Sequence, residues 1–343
     1  MGDREIGYLP DSQMKAIRIE RTGGPEVLEY VDVPTPRPGP GEVLVRAHAI
    51  GVCWPEVLVR RGTYAWMPPL PAIPGIEMSG VVAETGPGVS ALTVGQPVYV
   101  SARELPHRAG CYAEYIAVGE HVPYAVPPGV DLDLAAALAN YQVAYHLLHS
   151  ATRGFQYDSV LVQTAAGGVG SAAVQLARAA AKRVVAVAGS AEKAKFALEL
   201  GADAAINYRD GDVKARVATA TGGRGVDLIL DAVAGPRFPE LFDHLAPLGL
   251  VILYGALDGP APADLMAAMR RRPGSSPALR LFSIHAFDHD RDARRRTTGA
   301  LLDLLASGAI RPAIHARLPL AEAARAQALL ESGKVLGKLL LKP

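Results

Sequence analysis

Ser159 to Ser190 reads SVLVQTAAGGVGSAAVQLARAAAKRVVAVAGS, and this stretch decides the fold. Val160 to Val162 is a short apolar run of buried-strand type. Ala165-Ala166-Gly167-Gly168-Val169-Gly170 follows at once. Ala172 to Ala181 is a helix-forming run, and Arg183 to Ala188 is a second apolar run. Strand, glycine turn, helix and strand make the βαβ unit that holds a dinucleotide. Gly167 would let the main chain approach a pyrophosphate, and Gly170 would let the helix pack close on the strand. The helix N-terminus offers free N–H groups and positive potential to the phosphates. Ala165 stands where the usual fingerprint has its first glycine. The pattern is therefore A-x-G-x-x-G, and its weight comes from the strand before it and the helix after it.

Outward from this unit toward the C-terminus, helix and strand candidates alternate. They are Ala191 to Leu200, Ala204 to Asn207, Gly211 to Thr221, Leu228 to Ala232 and Leu250 to Gly255. Such alternation predicts a doubly wound parallel sheet. Leu279 to Phe287 reads as a further strand, Thr297 to Ser307 and Ala321 to Ser332 as helices, and Gly337 to Leu341 as a closing strand. Outward toward the N-terminus the texture is different. Short strand candidates at Met14 to Arg18, Val27 to Val33, Glu42 to Ala49, Gly80 to Glu84, Pro97 to Ser101 and Tyr112 to Val118 are separated by glycine and proline turns. That spacing predicts a β-rich, barrel-like domain. The texture changes near Leu132. The expected fold class is α/β, with a tail at 1–13, a catalytic domain at 14–138, a nucleotide domain at 139–287 and a return to the catalytic domain at 288–343.

With 343 residues the chain is long enough for two domains, and half of them are apolar. A net charge of +1 gives no electrostatic case for nucleic acid or an anionic membrane. The only cysteines are Cys53 and Cys111, so there is no disulfide framework, and a reducing compartment fits. The first thirteen residues lack the apolar core of a signal peptide, and no run approaches the roughly 20 apolar residues that span a bilayer. A cytoplasmic protein is expected. No Gly-x-Ser-x-Gly elbow and no Walker loop occurs. Arg270–Arg272 and Arg294–Arg296 read as solvated charge runs, and His146 and His149 as a solvated helix face.

Eight motifs in fixed order, from about Met14 to the end, carry a resemblance. They are Gly23-Gly24-Pro25-Glu26-Val27-Leu28, Pro40-Gly41-Glu42-Val43-Leu44-Val45, Pro74-Gly75-Ile76-Glu77, Gly95-Gln96-Pro97-Val98, Gly110-Cys111-Tyr112-Ala113-Glu114-Tyr115, Ala165 to Gly170, Gly222-Gly223-Arg224-Gly225-Val226-Asp227 and Gly337-Lys338-Leu339-Leu340-Leu341. In this order they resemble the medium-chain dehydrogenase/reductase superfamily, and within it the zinc-independent quinone oxidoreductase branch, which includes the zeta-crystallins. The resemblance implies a GroES-like β-barrel catalytic domain wrapped around a Rossmann nucleotide domain.

Coenzyme choice can be read at the second strand of the unit. An NAD-preferring protein usually has an acid about 20 residues past the glycines. Here that strand ends Ala188-Gly189-Ser190 without one, and Ser190 offers a hydroxyl where Lys193 lies one turn on. The resemblance implies that Lys193 and Tyr208, in Ile206-Asn207-Tyr208-Arg209, hold a 2′-phosphate. NADPH is therefore the expected cofactor, with Ala166, Gly167, Gly168, Val169, Gly170, Ser190, Lys193, Tyr208, Tyr254 and Gly255 as its binding residues.

Cys53 stands where zinc alcohol dehydrogenases have a ligand cysteine, but a catalytic zinc wants three protein ligands. The second would fall on Ile76 and the third near Ala139, and neither residue can bind a metal. No metal is expected. Quinone reductases commonly carry asparagine in place of Cys53, and Pro55 replaces the hydroxyl residue that relays protons in the zinc enzymes. Two readings of Cys53 follow: a buried thiol packing as a small hydrophobe, or a thiol lining the active cleft and open to electrophiles. Glu56 matches a usually acidic position with a supporting role. Tyr64 matches a tyrosine near the nicotinamide, proposed as proton donor in enoyl-thioester reductases. Trp54, Trp66 and Tyr141, with Met67 and Phe282, could wall an apolar substrate pocket, and Val143 replaces a threonine there.

The resemblance thus implies an NADPH-dependent, metal-free enzyme passing hydride to a quinone or an α,β-unsaturated carbonyl. An enoyl-thioester reductase is the first alternative, and a crystallin-like or RNA-binding protein without turnover is the second. Family members pair through an edge strand, and Leu279 to Phe287 is the candidate for a homodimer.

Overall fold

A computed structural model describes Tyr8 to Pro343, with the backbone alone over 8–11. The chain forms two compact units. Among the described residues one is made of 8–140 and Asp290–Pro343, and the other is Tyr141–His289.

In the first unit β1 (Tyr8–Arg18) pairs antiparallel with β2 (Glu29–Pro36). β1 takes in part of the segment read as a tail, because Tyr8 and Gln13 already find partners at Pro36 and Pro34. The rest of that tail lies outside the described residues. β3 (Glu42–Val52), β4 (Glu77–Thr85), β5 (Pro97–Ser101), β6 (Tyr115–Gly119) and β7 (Tyr124–Ala125) build most of the second sheet. Helix α1 (Trp54–Arg61) follows β3 directly. Its bounds are set locally: Pro55 sits in the first turn, where no N–H is needed, and Gly62 ends it with φ +74°. The short α2 (Leu132–Ala135), capped by the Asp131 carboxylate, and α3 (Leu138–Tyr145) lead out of this unit.

The second unit holds β8 (Ser159–Val162), β9 (Arg183–Ala188), β10 (Ala204–Asn207), β11 (Val226–Asp231), β12 (Leu245–Leu253) and β13 (Ala278–Leu281). They form one six-stranded parallel sheet in the order β10-β9-β8-β11-β12-β13. Helices α4 (Gly168–Ala179), α5 (Ala191–Glu199), α6 (Val213–Ala220) and α7 (Leu265–Arg270) provide connections. Leu161, Val185, Val187, Ile229, Val251 and Phe238 pack together as its core. The chain reverses direction across the sheet between β8 and β11, which opens a crevice at the strands' C-terminal ends. The glycine turn after β8 lies at that switch point.

The chain then re-enters the first unit through α8 (Arg291–Ala306), β14 (Ile314–Pro319), α9 (Ala323–Glu331) and β15 (Lys338–Lys342). β15 inserts antiparallel beside β3, completing the order β14-β15-β3-β4-β5-β7, with β6 also on β3. Val45, Ile50, Met78, Val100, Leu339 and Leu341 share one apolar cluster. Terminal strand and first strands are thus one core.

Four expectations change. The strand read at Leu279 to Phe287 ends at Leu281, because the Ser283 hydroxyl accepts from the His285 N–H and starts a short turn at Ile284–Phe287. The helix read from Thr297 begins at Arg291, where the Asp290 carboxylate caps it; a polar first turn hid its start. The arginine runs are not simply solvated. Arg294 holds Glu104 through two 2.9 Å bonds, and Arg272 donates to the carbonyls of Asp243 and Leu245. His146 is buried in a single wide helical turn, His146–Ser150, stacked 3.9 Å from Phe287, while His149 is exposed. Among the described residues no helix is long and apolar enough to cross a membrane.

Candidate functional site

The nucleotide cradle is built by sequence-local geometry. β8 is buried throughout, and Thr164 turns the chain with φ +50°. Gly167 is the N-cap of α4, and no side chain caps that helix. The N–H groups of its first turn are therefore open to an anion. Gly167, Gly168 and Val169 are half-exposed, whereas Ala165, Ala166 and Gly170 are buried. A Cβ on Gly170 would lie 2.2 Å from the Thr164 carbonyl oxygen, so only glycine lets the helix sit this close to the turn. Ala165, in place of the first glycine, is fully buried and its N–H bonds the Val187 carbonyl at 3.1 Å. A methyl is accommodated there. Tyr254 and Gly255 follow β12 at the same end of the sheet. The Tyr254 N–H bonds the Asp231 carbonyl at 2.9 Å, and a Cβ on Gly255 would meet the Ala232 carbonyl at 2.7 Å. Burial pushes Asp231 up to about 6 against the pull of the Ala234 and Val233 N–H groups.

Ser190, Lys193 and Tyr208 come together past the end of β9. Ser190 caps α5, its hydroxyl oxygen accepting from the Lys193 N–H at 3.2 Å, which leaves the hydroxyl proton to donate. The Tyr208 N–H bonds the Ala188 carbonyl at 3.0 Å, and a Cβ on Gly189 would fall 2.8 Å from the Tyr208 hydroxyl. Gly189 thus makes room for that ring. The Arg209 guanidinium lies 5.8 Å from the same ring, a second positive charge that sequence reading quoted but did not use. This acid-free, cationic strand end, the open α4 terminus and the Gly170 cradle fit a dinucleotide that carries an extra phosphate.

The first unit holds a different construction around Cys53. Cys53 is the N-cap of α1, and the Glu56 carboxylate reaches back to its N–H at 2.6 Å while accepting from the Ile76 N–H at 3.0 Å. Glu77 is fully buried. Its Oε1 meets Lys338 Nζ at 2.5 Å and the Cys53 thiol at 3.3 Å; its Oε2 accepts from the Tyr99 hydroxyl at 3.2 Å and the Ala139 N–H at 2.7 Å. Lys338 Nζ also lies 2.7 Å from Cys53 Sγ. Gly51 makes the space, since a Cβ there would meet Glu77 Oε1 at 2.4 Å and the Ala136 carbonyl at 2.5 Å.

Burial raises the Cys53 thiol well above its usual range, opposed chiefly by the Lys338 charge. Burial likewise pushes Glu56 up to about 8, against Lys338 and the two N–H donors. For Lys338 burial acts downward, but Cys53, Glu77 and Glu56 outweigh it and the ammonium is held. Cys53 is buried, as the first expected reading has it, but it lies among charged groups rather than apolar ones. Sequence reading missed Lys338 as a site residue. The one signal was a lysine heading the apolar run Leu339-Leu340-Leu341.

Among the aromatic candidates, Tyr64 is half-buried and packs on the first unit's core, 5.7 Å from Trp66. Trp66 is 43 % exposed with the Arg108 guanidinium 5.4 Å from its ring, and Trp54 is half-buried. Met67 packs on the same core. Tyr141 belongs to the second unit, where its ring is buried and its hydroxyl has no protein partner among the described residues. Val143 and Phe282 are half-buried there.

Two family models match the chain: an alcohol dehydrogenase GroES-like domain over residues 39–128, and a zinc-binding dehydrogenase over residues 168–275. A quinone oxidoreductase of the rat (Rattus norvegicus) is 32% identical over 333 residues, covering 96% of this chain and 97% of its own. The crystal structure of Escherichia coli quinone oxidoreductase complexed with NADPH superposes with a TM-score of 0.84 at 29% identity, covering 96% of this chain and 100% of that one. An NAD-dependent alcohol dehydrogenase superposes equally well, with a TM-score of 0.84 at 31% identity over 96% and 100% of the two chains. Backbone similarity therefore leaves coenzyme choice to side chains.

Proposed function

The chain belongs to the quinone oxidoreductase branch of the medium-chain dehydrogenase/reductase superfamily, and on that premise we propose that it reduces quinones or α,β-unsaturated carbonyls with NADPH and without a metal. The observation that carries this reading is the end of β9, where Ala188-Gly189-Ser190 holds no acid, Ser190 caps α5 by accepting from the Lys193 N–H, and the Tyr208 hydroxyl lies beside Gly189. NADPH, when bound, supplies the hydride.

The chain's own residues bind, orient and protonate. Gly167, Gly168, Val169 and Gly170 present the open turn of α4 to the pyrophosphate, with Ala166, Tyr254 and Gly255 shaping the crevice around it. Ser190 and Tyr208 donate to the 2′-phosphate, and Lys193 neutralises it. Trp54 and Trp66 offer flat apolar faces to an unsaturated ring. Tyr64 donates the proton that the reduced acceptor requires. Cys53 has no part in that transfer, since its proton is held in the buried cluster. The cation beside Cys53 is Lys338 rather than a metal, and Ile76 supplies no ligand. The first unit thus carries the acceptor chemistry and the second the coenzyme. Two chains pair through the exposed edge of β13, where Leu281 is 75% exposed.

The test is steady-state oxidation of NADPH and NADH against quinones, cyclic enones and enoyl thioesters. NADPH should be preferred, and Lys193→Ala should raise its KM by ~10- to 100-fold, the worth of one charge-assisted hydrogen bond, while leaving NADH unchanged. Equal use of both coenzymes would refute the phosphate site. Fastest turnover of enoyl thioesters would replace the acceptor class, and tight NADPH binding with no turnover would refute the enzyme. Tyr64→Phe should lower kcat, and unchanged kcat would return the proton to solvent. A monomeric mass in solution would refute pairing.

A further inference from the structure

Cys53 and Lys338 are each 3% exposed, and Sγ and Nζ are 2.7 Å apart. That is an ordinary nitrogen–oxygen hydrogen-bond distance, reached here with the larger sulfur atom. One oxygen of Glu77 touches both groups, at 2.5 Å from Nζ and 3.3 Å from Sγ. Gly51 leaves room for that carboxylate, and the Ala139 N–H and the Tyr99 hydroxyl hold its other oxygen. The only other cysteine, Cys111, is also free and buried. The lysine is therefore the thiol's reaction partner by position. We propose that Cys53 and Lys338 are an oxidative modification site, at which a sulfur–oxygen–nitrogen bridge forms between Sγ and Nζ.

The chemistry balances with hydrogen peroxide as oxidant. The thiol, the ammonium, the Glu77 carboxylate and two peroxides give the bridge, a protonated Glu77 and three waters. A first peroxide transfers oxygen to sulfur, the step that makes a sulfenic acid. The S–H proton passes by way of Glu77 Oε1 to the hydroxide that leaves the first peroxide, giving the first water. A second peroxide accepts the remaining two electrons as the nitrogen–oxygen bond forms, and the ammonium loses its excess protons to Glu77 and to the departing waters. Sulfur and nitrogen together give up four electrons. Two equivalents of a dithiol return the thiol, the amine and one water. Burial excludes bulk water and larger thiols from the intermediate, while peroxide is small enough to enter during local opening. The bridge would tie the N-cap of α1 to the head of β15, residues 285 apart in sequence. Closing so long a loop restricts the unfolded chain.

The site depends on the side chains named and not on the acceptor proposed above, and its readout is mass rather than turnover. The reduced full-length protein is treated with hydrogen peroxide, denatured, alkylated and mapped. Expected is a species joining the Cys53 and Lys338 peptides, heavier by one oxygen and lighter by two hydrogens, that dithiothreitol reverses. Cys53→Ser and Lys338→Arg should abolish it and Cys111→Ser should retain it; the unfolding midpoint should rise on oxidation and fall back on reduction. If Lys338→Arg does not fold, the two cysteine variants decide. Oxygen added to Cys53 with no joined peptide would overturn the proposal, and so would complete alkylation of Cys53 after peroxide.

Discussion

Replacing Lys338 by methionine removes a charge from a place where water cannot substitute for it. Lys338 is 3% exposed and Glu77 fully buried, with Nζ and Oε1 2.5 Å apart. The Tyr99 hydroxyl and the Ala139 N–H still reach the other carboxylate oxygen, so Glu77 keeps hydrogen bonds but loses the ion pair with Lys338. Breaking a buried pair by removing one partner costs ~3–5 kcal/mol. For a body of this size each kcal/mol moves Tm by ~2–4 °C, so a fall of ~6–20 °C is expected. Glu77→Gln combined with Lys338→Met removes the stranded charge and leaves an amide oxygen for Tyr99 and Ala139. That double variant should recover most of the loss, with a coupling of at least ~2 kcal/mol in a double-mutant cycle measured by urea unfolding. Salt should hardly change the result, because the pair is buried. Additive losses, or a single-variant loss under ~1 kcal/mol, would refute the account of the cluster.

Three further outcomes are expected. Gly170→Ala forces a methyl into the Thr164 carbonyl, a 2.2 Å approach that must push α4 off the turn. Overpacking of this kind costs ~1–3 kcal/mol, and NADPH titration should show weakened affinity; unchanged affinity would mean the turn does not touch the coenzyme. Asp227 accepts from the Asp158 and Ser159 N–H groups at 3.0 Å and from the Ser159 hydroxyl at 2.8 Å, beside Arg224. Burial acts upward on this acid, but those bonds win and hold it low. Its contribution is therefore present above the usual aspartate range and lost as pH falls through the lowered value. Asp227→Ala should cost ~2–4 kcal/mol near neutrality and much less in acid, read from urea midpoints. Glu56 has the opposite sign. Raised to about 8 by burial, it favours folding most below the ordinary glutamate value of 4.5, and that contribution is lost as pH rises through 8. The wild type should lose stability between these limits, and Glu56→Gln should flatten that slope; an identical slope in both would rule the assignment out.

The elements that sequence reading placed well are those whose cause is local. β8, α4 and β9 follow from apolar runs separated by a glycine turn. Errors fell where a polar cap redirected the chain. Ser283 turned it out of the sheet after Leu281, and Asp290 began α8 six residues earlier than its apolar face suggests. Arg294 of that early turn reads as solvated because Glu104, its partner, is 190 positions away.

The coenzyme end of the site was legible for the same reason. Ser190 and Tyr208 follow the ends of adjacent strands, Lys193 lies in the first turn of α5, and the missing acid is a fact of one short segment. The residues alone determined a doubly wound nucleotide unit and a β-rich partner unit. Only the tertiary structure decided what Cys53 is. Its neighbours Glu77 and Lys338 come from 24 and 285 positions away, brought together because β15 pairs with β3 and β3 with β4. Periodicity records which face of a strand is buried. It does not record which buried charges meet across strands, and that meeting turns a thiol read as apolar filler into part of an ion-paired cluster.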